Sequence, residues 1–287
     1  MYRSPSPVRR PGSLALARRF GRLSAFFVLP WLLLAHSAAA GVQARFETRD
    51  LQRGSSEYGR LLAQGGEYRM DRYDRDQKLL GSVLIKNGRP YVIDHVKKFW
   101  SVVDDLALRR MKADLEAAAA QFDQKVAQMD AESRQTMLGT LTGPQPGSAS
   151  RDFDTTAEMA EKNGFPCRRY QVLSDGTLVR EIWATPWDKV AGAEELRAAQ
   201  SAMEAYYQRL TSVFTEVKSQ LLGVPLYRSP ENPFADFGKI EGFAVVTRNF
   251  ENGHSLAETL LLEVKELPLA ASEFEIPADC QQKAMDQ

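Results

Sequence analysis

Few side chains in this sequence are of the types that carry out catalysis, and none stands in a recognised catalytic spacing. Of its three histidines, only His95 and His254 lie outside the first forty residues, and it has two cysteines. There is no H-E-x-x-H zinc motif, no G-x-S-x-G nucleophile elbow, no Walker loop and no G-x-G-x-x-G loop. This inventory favours a protein that is not an enzyme and holds no cofactor and no metal, with an unrecognised hydrolase as a remote alternative.

Both histidines have a structural interpretation. His95 lies in the predicted strand Tyr91 to Val96 beside Asp94, and neighbouring residues of a strand point to opposite faces, so these two side chains do not cooperate. His254 follows a predicted hairpin turn, where an exposed polar residue is ordinary. We expect neither histidine to be a ligand.

Two pairs of charged residues have local explanations. Asp104 and Asp105 precede a predicted helix, and acidic groups offset the partial positive charge of a helix N-terminus. Arg168 and Arg169 lie in a predicted strand and point to opposite faces of it, so at most one of them could contact an anionic group bound on a given face.

Large apolar side chains on or near predicted strands are more informative. On a curved sheet they line a ligand groove if space is left above them, and they form an ordinary core if helices fill that space. Both interpretations remain open at this point. The candidate ligand-binding residues are Tyr68, Met70, Tyr91, Trp100, Trp183 and Phe243.

Turn signals predict the sheet that carries these side chains. Between Val42 and Val103 the sequence alternates as strands do, and Asn87-Gly88 marks a hairpin. Asp175-Gly176 and Asn252-Gly253 mark two more hairpins. Three hairpins spread along the chain predict one antiparallel sheet.

Two long amphipathic helices are predicted between the strands, at about 104–138 and 186–222. In the second, Thr185 is the predicted N-cap and Pro186 the first helical residue. Both apolar stripes are narrow and the opposite faces carry charges of both signs, which is unlike the Lys- and Arg-rich face of a membrane-surface helix. We expect the helices to pack on each other or across the sheet; docking of a partner is the alternative.

The first forty residues have the pattern of a secretory signal peptide. Six arginines and no acidic residue precede the apolar run Leu23 to Ala35, and small residues follow up to Ala40. The run is shorter than the roughly 20 residues of a membrane-spanning helix. We expect cleavage after Ala40 and a periplasmic mature chain, 41–287, that forms a single domain. Since no cysteine follows the predicted cleavage site, we expect no lipid anchor.

Charge and cysteines add two expectations. Residues 41–287 carry 31 basic and 37 acidic residues, a net charge of −6, which offers no attraction to nucleic acid or to an anionic membrane. Because secretion leads to an oxidising compartment, we expect a disulfide between Cys167 and Cys280, with two buried free thiols as the alternative.

Three motifs stand out along the chain: the segment Gly164-Phe165-Pro166-Cys167-Arg168-Arg169-Tyr170, a hairpin ending in Trp183, and Phe274-Glu275-Ile276-Pro277. They resemble those of an uncharacterised family of secreted bacterial proteins that is similar in fold to the periplasmic lipoprotein carriers and outer-membrane lipoprotein receptors (LolA/LolB-like). The resemblance implies an α+β fold, in which a curved antiparallel sheet forms an open half-barrel and helices cover its concave face.

In the carriers this concavity holds acyl chains. The resemblance therefore implies a soluble, non-enzymatic periplasmic protein that binds an acyl chain or another apolar ligand between sheet and helices. The alternative is an envelope interaction or stress-sensing module, whose helices fill the groove and bind a protein partner.

Overall fold

An open antiparallel sheet dominates the computed structural model of the chain, which describes residues 40–141, 151–217, 232, 234, 236–251 and 253–284. All of these belong to one compact unit, Ala39–Gln287. The predicted signal peptide up to residue 39, the C-terminal end of the second predicted helix and Asn252 of the third predicted turn lie outside the described residues.

Twelve strands form one sheet within the described residues. They are β1 (Gly41–Asp50), β2 (Ser55–Gln64), β3 (Glu67–Tyr73), β4 (Leu79–Lys86), β5 (Arg89–Asp94), β6 (Phe99–Val102), β7 (Arg151–Lys162), β8 (Phe165–Ser174), β9 (Thr177–Thr185), β10 (Phe243–Glu251), β11 (His254–Leu267) and β12 (Gln281–Gln282). Their order in the sheet is β12-β6-β5-β4-β3-β2-β1-β11-β10-β9-β8-β7. Only the β12–β6 pair among these is parallel, and the two outermost strands, β12 and β7, do not pair. The predicted fold class, α+β with a curved antiparallel sheet that forms an open half-barrel, is confirmed.

The tight turns arise from residues that tolerate positive φ. Asn87 and Gly88 have φ of 52° and 70°, as a two-residue hairpin turn requires, and they join β4 to β5. Asp175-Gly176 joins β8 to β9 in the same way. Asn163-Gly164, at 49° and 80°, forms a further turn of this kind between β7 and β8, which the sequence prediction did not include.

Three α-helices are described: α1 (Asp105–Ala127), α2 (Ala131–Leu141) and α3 (Ala193–Glu216). The capping interpretation of Asp104 is confirmed, since its Oδ1 accepts a hydrogen bond of 2.9 Å from the backbone N–H of Ala107. The first predicted helix is divided, because Asp130 accepts hydrogen bonds from the backbone and hydroxyl of Ser133 and so starts a new helix, α2.

The start of the second predicted helix was wrong. Thr185 is the last residue of β9, where it pairs with Phe243, and its hydroxyl caps no helix. A single 3₁₀ turn, Trp187–Lys189, follows it, and α3 begins only after Gly192, whose φ of 62° interrupts helical geometry.

α1 and α3 cover one face of the sheet, which we call the inner face. α3 lies on β1 and β2, where Leu196 and Ala199 pack with Val42 and Leu61. Further along α3, Met203 packs in a second cluster that also contains Leu108 of α1. The inner-face core is therefore formed by the sheet and α3, and α1 joins it where it packs with α3.

The C-terminal segment covers part of the opposite, outer face. Alternation along the strands turns Leu62 and Leu84 away from the helices, and Phe274 packs on them from a 3₁₀ turn, Ala271–Phe274. Arg69 holds this segment by donating a 2.8 Å hydrogen bond to the carbonyl of Glu273. Both faces of this half of the sheet are thus buried.

The predicted disulfide between Cys167 and Cys280 is not formed, and both thiols are free. Cys167 lies in β8 and Cys280 immediately before β12, and nine strands separate β8 from β12 in the sheet. Burial raises the pKa of the Cys167 thiol to about 11. The alternative of two free thiols fits this arrangement, although Cys280 is only partly buried.

Candidate ligand-binding cavity

An apolar cavity of about 400 Å³ lies between the inner face and α3. Its volume falls within the range of roughly 300–1,000 Å³ that is typical of small-molecule sites. Apolar side chains form its floor and roof: Phe46, Leu61, Met70, Phe243, Val245 and Leu261 from the strands, and Tyr207, Phe234 and Phe237 from α3 and the segment that follows it.

The register of β1, β2 and β3 builds the floor. Leu61 pairs directly with Met70, and Phe46 pairs with Gly59, so these positions share one face. Gly59 has no side chain, which leaves space beside the Phe46 ring. The Phe46 ring lies 6.2 Å from that of Phe243, measured between centroids.

Aromatic rings form the roof. The centroids of Tyr207 and Phe234 are 5.7 Å apart, and those of Phe234 and Phe237 are 6.0 Å apart. Burial raises the pKa of the Tyr207 phenol, which therefore stays neutral at physiological pH. The roof adds no charge to the cavity.

One end of the cavity is polar. Arg180 is 6% exposed; its Nε donates a 2.9 Å hydrogen bond to Asn249 Oδ1, and its Nη1 lies 3.6 Å from Asp236 Oδ2. The hydroxyls of Thr48 and Thr259 are hydrogen-bonded to each other at 3.0 Å. Since Asp236 balances Arg180, this end is polar without a large net charge.

The six predicted ligand-binding residues are not brought together. Met70 and Phe243 line the cavity, and Tyr68 points to the same face but packs between the two inner clusters outside the cavity. Tyr91 and Trp100 lie on the outer face, whereas Trp183 is buried in the cluster that contains Phe243 but does not line the cavity.

The outer-face placement follows from the strand registers. Tyr91 and Trp100 pack together beside the C-terminal segment, with ring centroids 5.9 Å apart. Trp183 is 4% exposed, and its indole Nε1 donates a 2.9 Å hydrogen bond to Glu181.

Several lining residues were missed by the sequence prediction. Phe46 had a usable signal, because it follows Val42 and Ala44 at a spacing of two. Arg180 and Tyr207 had none, since only the tertiary structure brings β9 and this side of α3 over one cavity.

A second, more open cleft of about 990 Å³ lies between α1 and the strand edge formed by β5, β6 and β12. Tyr91, Trp100 and Met111 line it, but Arg110 and Asp114 also line it and carry opposite charges. This cleft is less enclosed and less apolar than the cavity beneath α3, which is therefore the better candidate site.

Serine, histidine and aspartate side chains do meet on the outer face. Ser82 Oγ donates a 2.5 Å hydrogen bond to Asp71 and lies 2.8 Å from His95 Nε2. In a hydrolytic triad the histidine stands between the other two, whereas here the serine does. Burial, reinforced by the charge of Arg69, lowers the pKa of His95. The cluster therefore does not have the arrangement of a hydrolytic triad. Its hydrogen bonds stabilise the outer face.

The other sequence candidates lie apart from the cavity. Arg169 forms ion pairs with Glu158 and Glu181 on the outer face, and His254 is exposed at its hairpin. Within the part of the chain that the structure describes, no three or more His, Cys, Asp or Glu side chains are grouped to hold a metal ion. Nor is any described helix long and apolar enough to cross a membrane.

Comparisons with known proteins add little. No protein-family model and no curated protein matches the sequence. Among solved structures, an uncharacterised conserved protein from Thermus thermophilus matches with a TM-score of 0.41 and 10% identity, over 85% of this chain and 90% of that one.

MucB matches with a TM-score of 0.35 and 12% identity, over 85% of this chain and 60% of its own. The Pseudomonas aeruginosa MucA/MucB complex matches with a TM-score of 0.36 and 9% identity, over 85% and 58%. This chain therefore spans less than two thirds of the MucB chains, and similarities this low carry no argument about function.

Proposed function

We propose that this chain is a non-enzymatic periplasmic binding protein that encloses an acyl chain or another apolar ligand between its sheet and α3. The observation that carries the proposal is the cavity itself, which has an apolar floor, an aromatic roof and one polar end. Such a site stabilises a ligand by removing apolar surface from water, at roughly 25 cal/mol per Å².

The sequence supports the same class of ligand. Its motifs resemble a family similar in fold to the lipoprotein carriers, in which a concave sheet holds acyl chains. The proposed periplasmic location depends on the leader that precedes Gly41.

The alternative of a helix that docks a protein partner is less well supported. The apolar stripe of α3 is the surface that such a partner would need, yet Leu196, Met203 and Val213 are buried against the rest of the chain. Most of the described residues of this stripe are therefore not accessible to a partner in this conformation.

A cavity-filling variant tests the proposal. Ala257 lines the cavity from β11, and Ala257→Phe is expected to weaken binding of a fluorescent fatty acid by about ten-fold or more, because the new ring occupies the ligand's space. The matched control is Leu262→Phe on the same strand, where the side chain is 41% exposed.

Fluorescence titration of the protein, secreted through its own leader and stripped of lipid, measures the affinity. Lipid extraction and native mass spectrometry of the unstripped protein provide an independent readout. The proposal is wrong if wild type binds no probe, or if a folded Ala257→Phe protein binds it as tightly as wild type does.

A further inference from the structure

Three threonines form a row across neighbouring strands at the polar end of the cavity. Thr247 pairs with Thr259 between β10 and β11, and Thr259 pairs with Thr48 between β11 and β1. Residues directly opposite each other in an antiparallel pair point to the same face of the sheet. All three side chains line the cavity, and we call them the threonine row.

The threonine row lies where the lining of the cavity changes from apolar to polar. Two residues away along β1 and β11, which is about 7 Å, Phe46 and Leu261 pair with each other and line the apolar part. On the opposite side of the row, Asn249 and Arg180 pair between β10 and β9 and line the polar end. An amphiphile whose chain lies over Phe46 and Leu261 therefore places its head group at the row.

The threonine row is accessible and keeps the capacity to bond a ligand. Thr48 is exposed and Thr247 and Thr259 are half-buried, whereas Leu261 is fully buried. The hydroxyls of Thr48 and Thr259 are 3.0 Å apart. A hydrogen bond between two hydroxyls uses one of their two protons, so this pair still has an O–H to donate and lone pairs to accept.

The charges beside the threonine row are of both signs. At one end, Arg180 lies 3.6 Å from Asp236. At the other end, Glu57 pairs with Thr48 in the strand register, and Arg72 lies on the next strand; both are exposed. These four charges cancel, so the row offers no excess positive charge to an anionic head group.

We infer that the ligand is a lipid with an uncharged, hydroxylated head group, as in a monoacylglycerol, and that this head group hydrogen-bonds to the threonine row. This inference rests on the proposed function and narrows its ligand class. A plain hydrocarbon displaces water from the hydroxyls and gives them no partner in return. A glycerol hydroxyl both donates and accepts, as the threonine hydroxyls do.

Three probes with the same acyl chain separate these hydrogen bonds from apolar burial: monolauroylglycerol, methyl laurate and laurate. Displacement of the fluorescent fatty acid, below the concentrations at which the probes form micelles, measures their affinities. Wild type is expected to bind monolauroylglycerol about ten-fold more tightly than methyl laurate, and more tightly than laurate.

A double variant removes hydroxyls and keeps the branched shape that suits a strand. Thr247→Val with Thr259→Val should bring the affinities for monolauroylglycerol and methyl laurate close together. The matched control is Thr155→Val, an exposed position of β7 that does not line the cavity, which should keep the ten-fold preference. Thr259→Ser retains a hydroxyl and should keep it too.

Thr259→Val alone repeats the test if the double variant does not fold, and should reduce the preference at least about three-fold. Equal binding of monolauroylglycerol and methyl laurate by wild type overturns the inference but leaves the proposed function intact, as does tighter binding of laurate than of monolauroylglycerol. A folded double variant that keeps the ten-fold preference also overturns the inference. Binding of none of the three probes overturns the inference and the proposed function together.

Discussion

At the scale of single residues, Asp71 on the outer face is a buried charge with several hydrogen-bond partners. Its carboxylate is fully buried and accepts hydrogen bonds of 2.6 Å from Arg69, 2.7 Å from Arg60 and 2.5 Å from Ser82. Burial opposes its ionisation, but the charge of Arg69 and these hydrogen bonds outweigh burial and lower its pKa. Asp71 therefore organises the residues that hold the C-terminal segment.

Asp71→Asn is expected to lower the free energy of unfolding by about 3 kcal/mol at neutral pH, because it leaves buried arginine charge without its partner. The pKa of Asp71 is lower in the folded than in the unfolded state. Its contribution is thus complete well above the unfolded value of about 3.9 and is lost as pH falls through the folded value. Urea unfolding between pH 7 and pH 3 should show the two proteins converging in acid.

Asp76→Asn is the matched control, since its carboxylate is 79% exposed and pairs with exposed Arg75. It should change stability by well under about 1 kcal/mol. An Asp71→Asn protein as stable as wild type at neutral pH would contradict the role assigned to the carboxylate.

At the scale of elements, the junction between β9 and β10 depends on one glycine. Gly242 has a φ of 152°, and a Cβ there would clash with the carbonyl oxygen of Thr185, the residue that ends β9. The close approach allows Phe243, the first residue of β10, to pair with Thr185 and to face the cavity. Both the β9–β10 pairing and the position of Phe243 in the cavity floor therefore depend on the absence of a side chain at Gly242.

Gly242→Ala is expected to destabilise the protein by about 3 kcal/mol, since the clash is with backbone and adds to strain at positive φ. The control is Gly176→Ala, at a φ of 75° with no described atom within 4 Å of the new Cβ, which should cost about 1 kcal/mol. Thermal or urea unfolding measures both. Equal effects of the two substitutions would show that the Gly242 contact is unimportant.

At the scale of the whole molecule, burial is uneven between the sheet and the helices. Val42, Leu62 and Leu261 in the central strands are fully buried. α1 buries three side chains over 23 residues, whereas α3 buries six over 24. None of residues 131–137 in α2 is buried. The central sheet and α3 therefore form the stable part of the molecule.

Hydrogen exchange followed by mass spectrometry should show this gradient. Amides of α2 are expected to exchange fastest among the described helices, and those of β1, β2 and β11 slowest, because local opening exposes least apolar surface where few side chains are buried. α3, nearly the same length as α1, serves as the internal comparison and should be better protected. Protection of α2 equal to that of β1 would contradict this distribution of stability.

The sequence by itself determined the local features of this protein. Asn87-Gly88 and Asp175-Gly176 form the predicted turns because Asn, Asp and Gly tolerate the positive φ values that these turns require. The helix cap at Asp104 is local in the same sense, and antiparallel pairing follows from short turns.

Only the tertiary structure decided which side chains meet. Tyr91 and Phe243 looked equivalent in sequence, yet Tyr91 packs beside the C-terminal segment on the outer face whereas Phe243 lines the cavity. Cys167 and Cys280 looked like a pair, yet the sheet order separates them. Arg180 and Tyr207 line one cavity only because α3 lies across the sheet, and the alignment of elements distant in sequence depends on long-range packing rather than on local residue types.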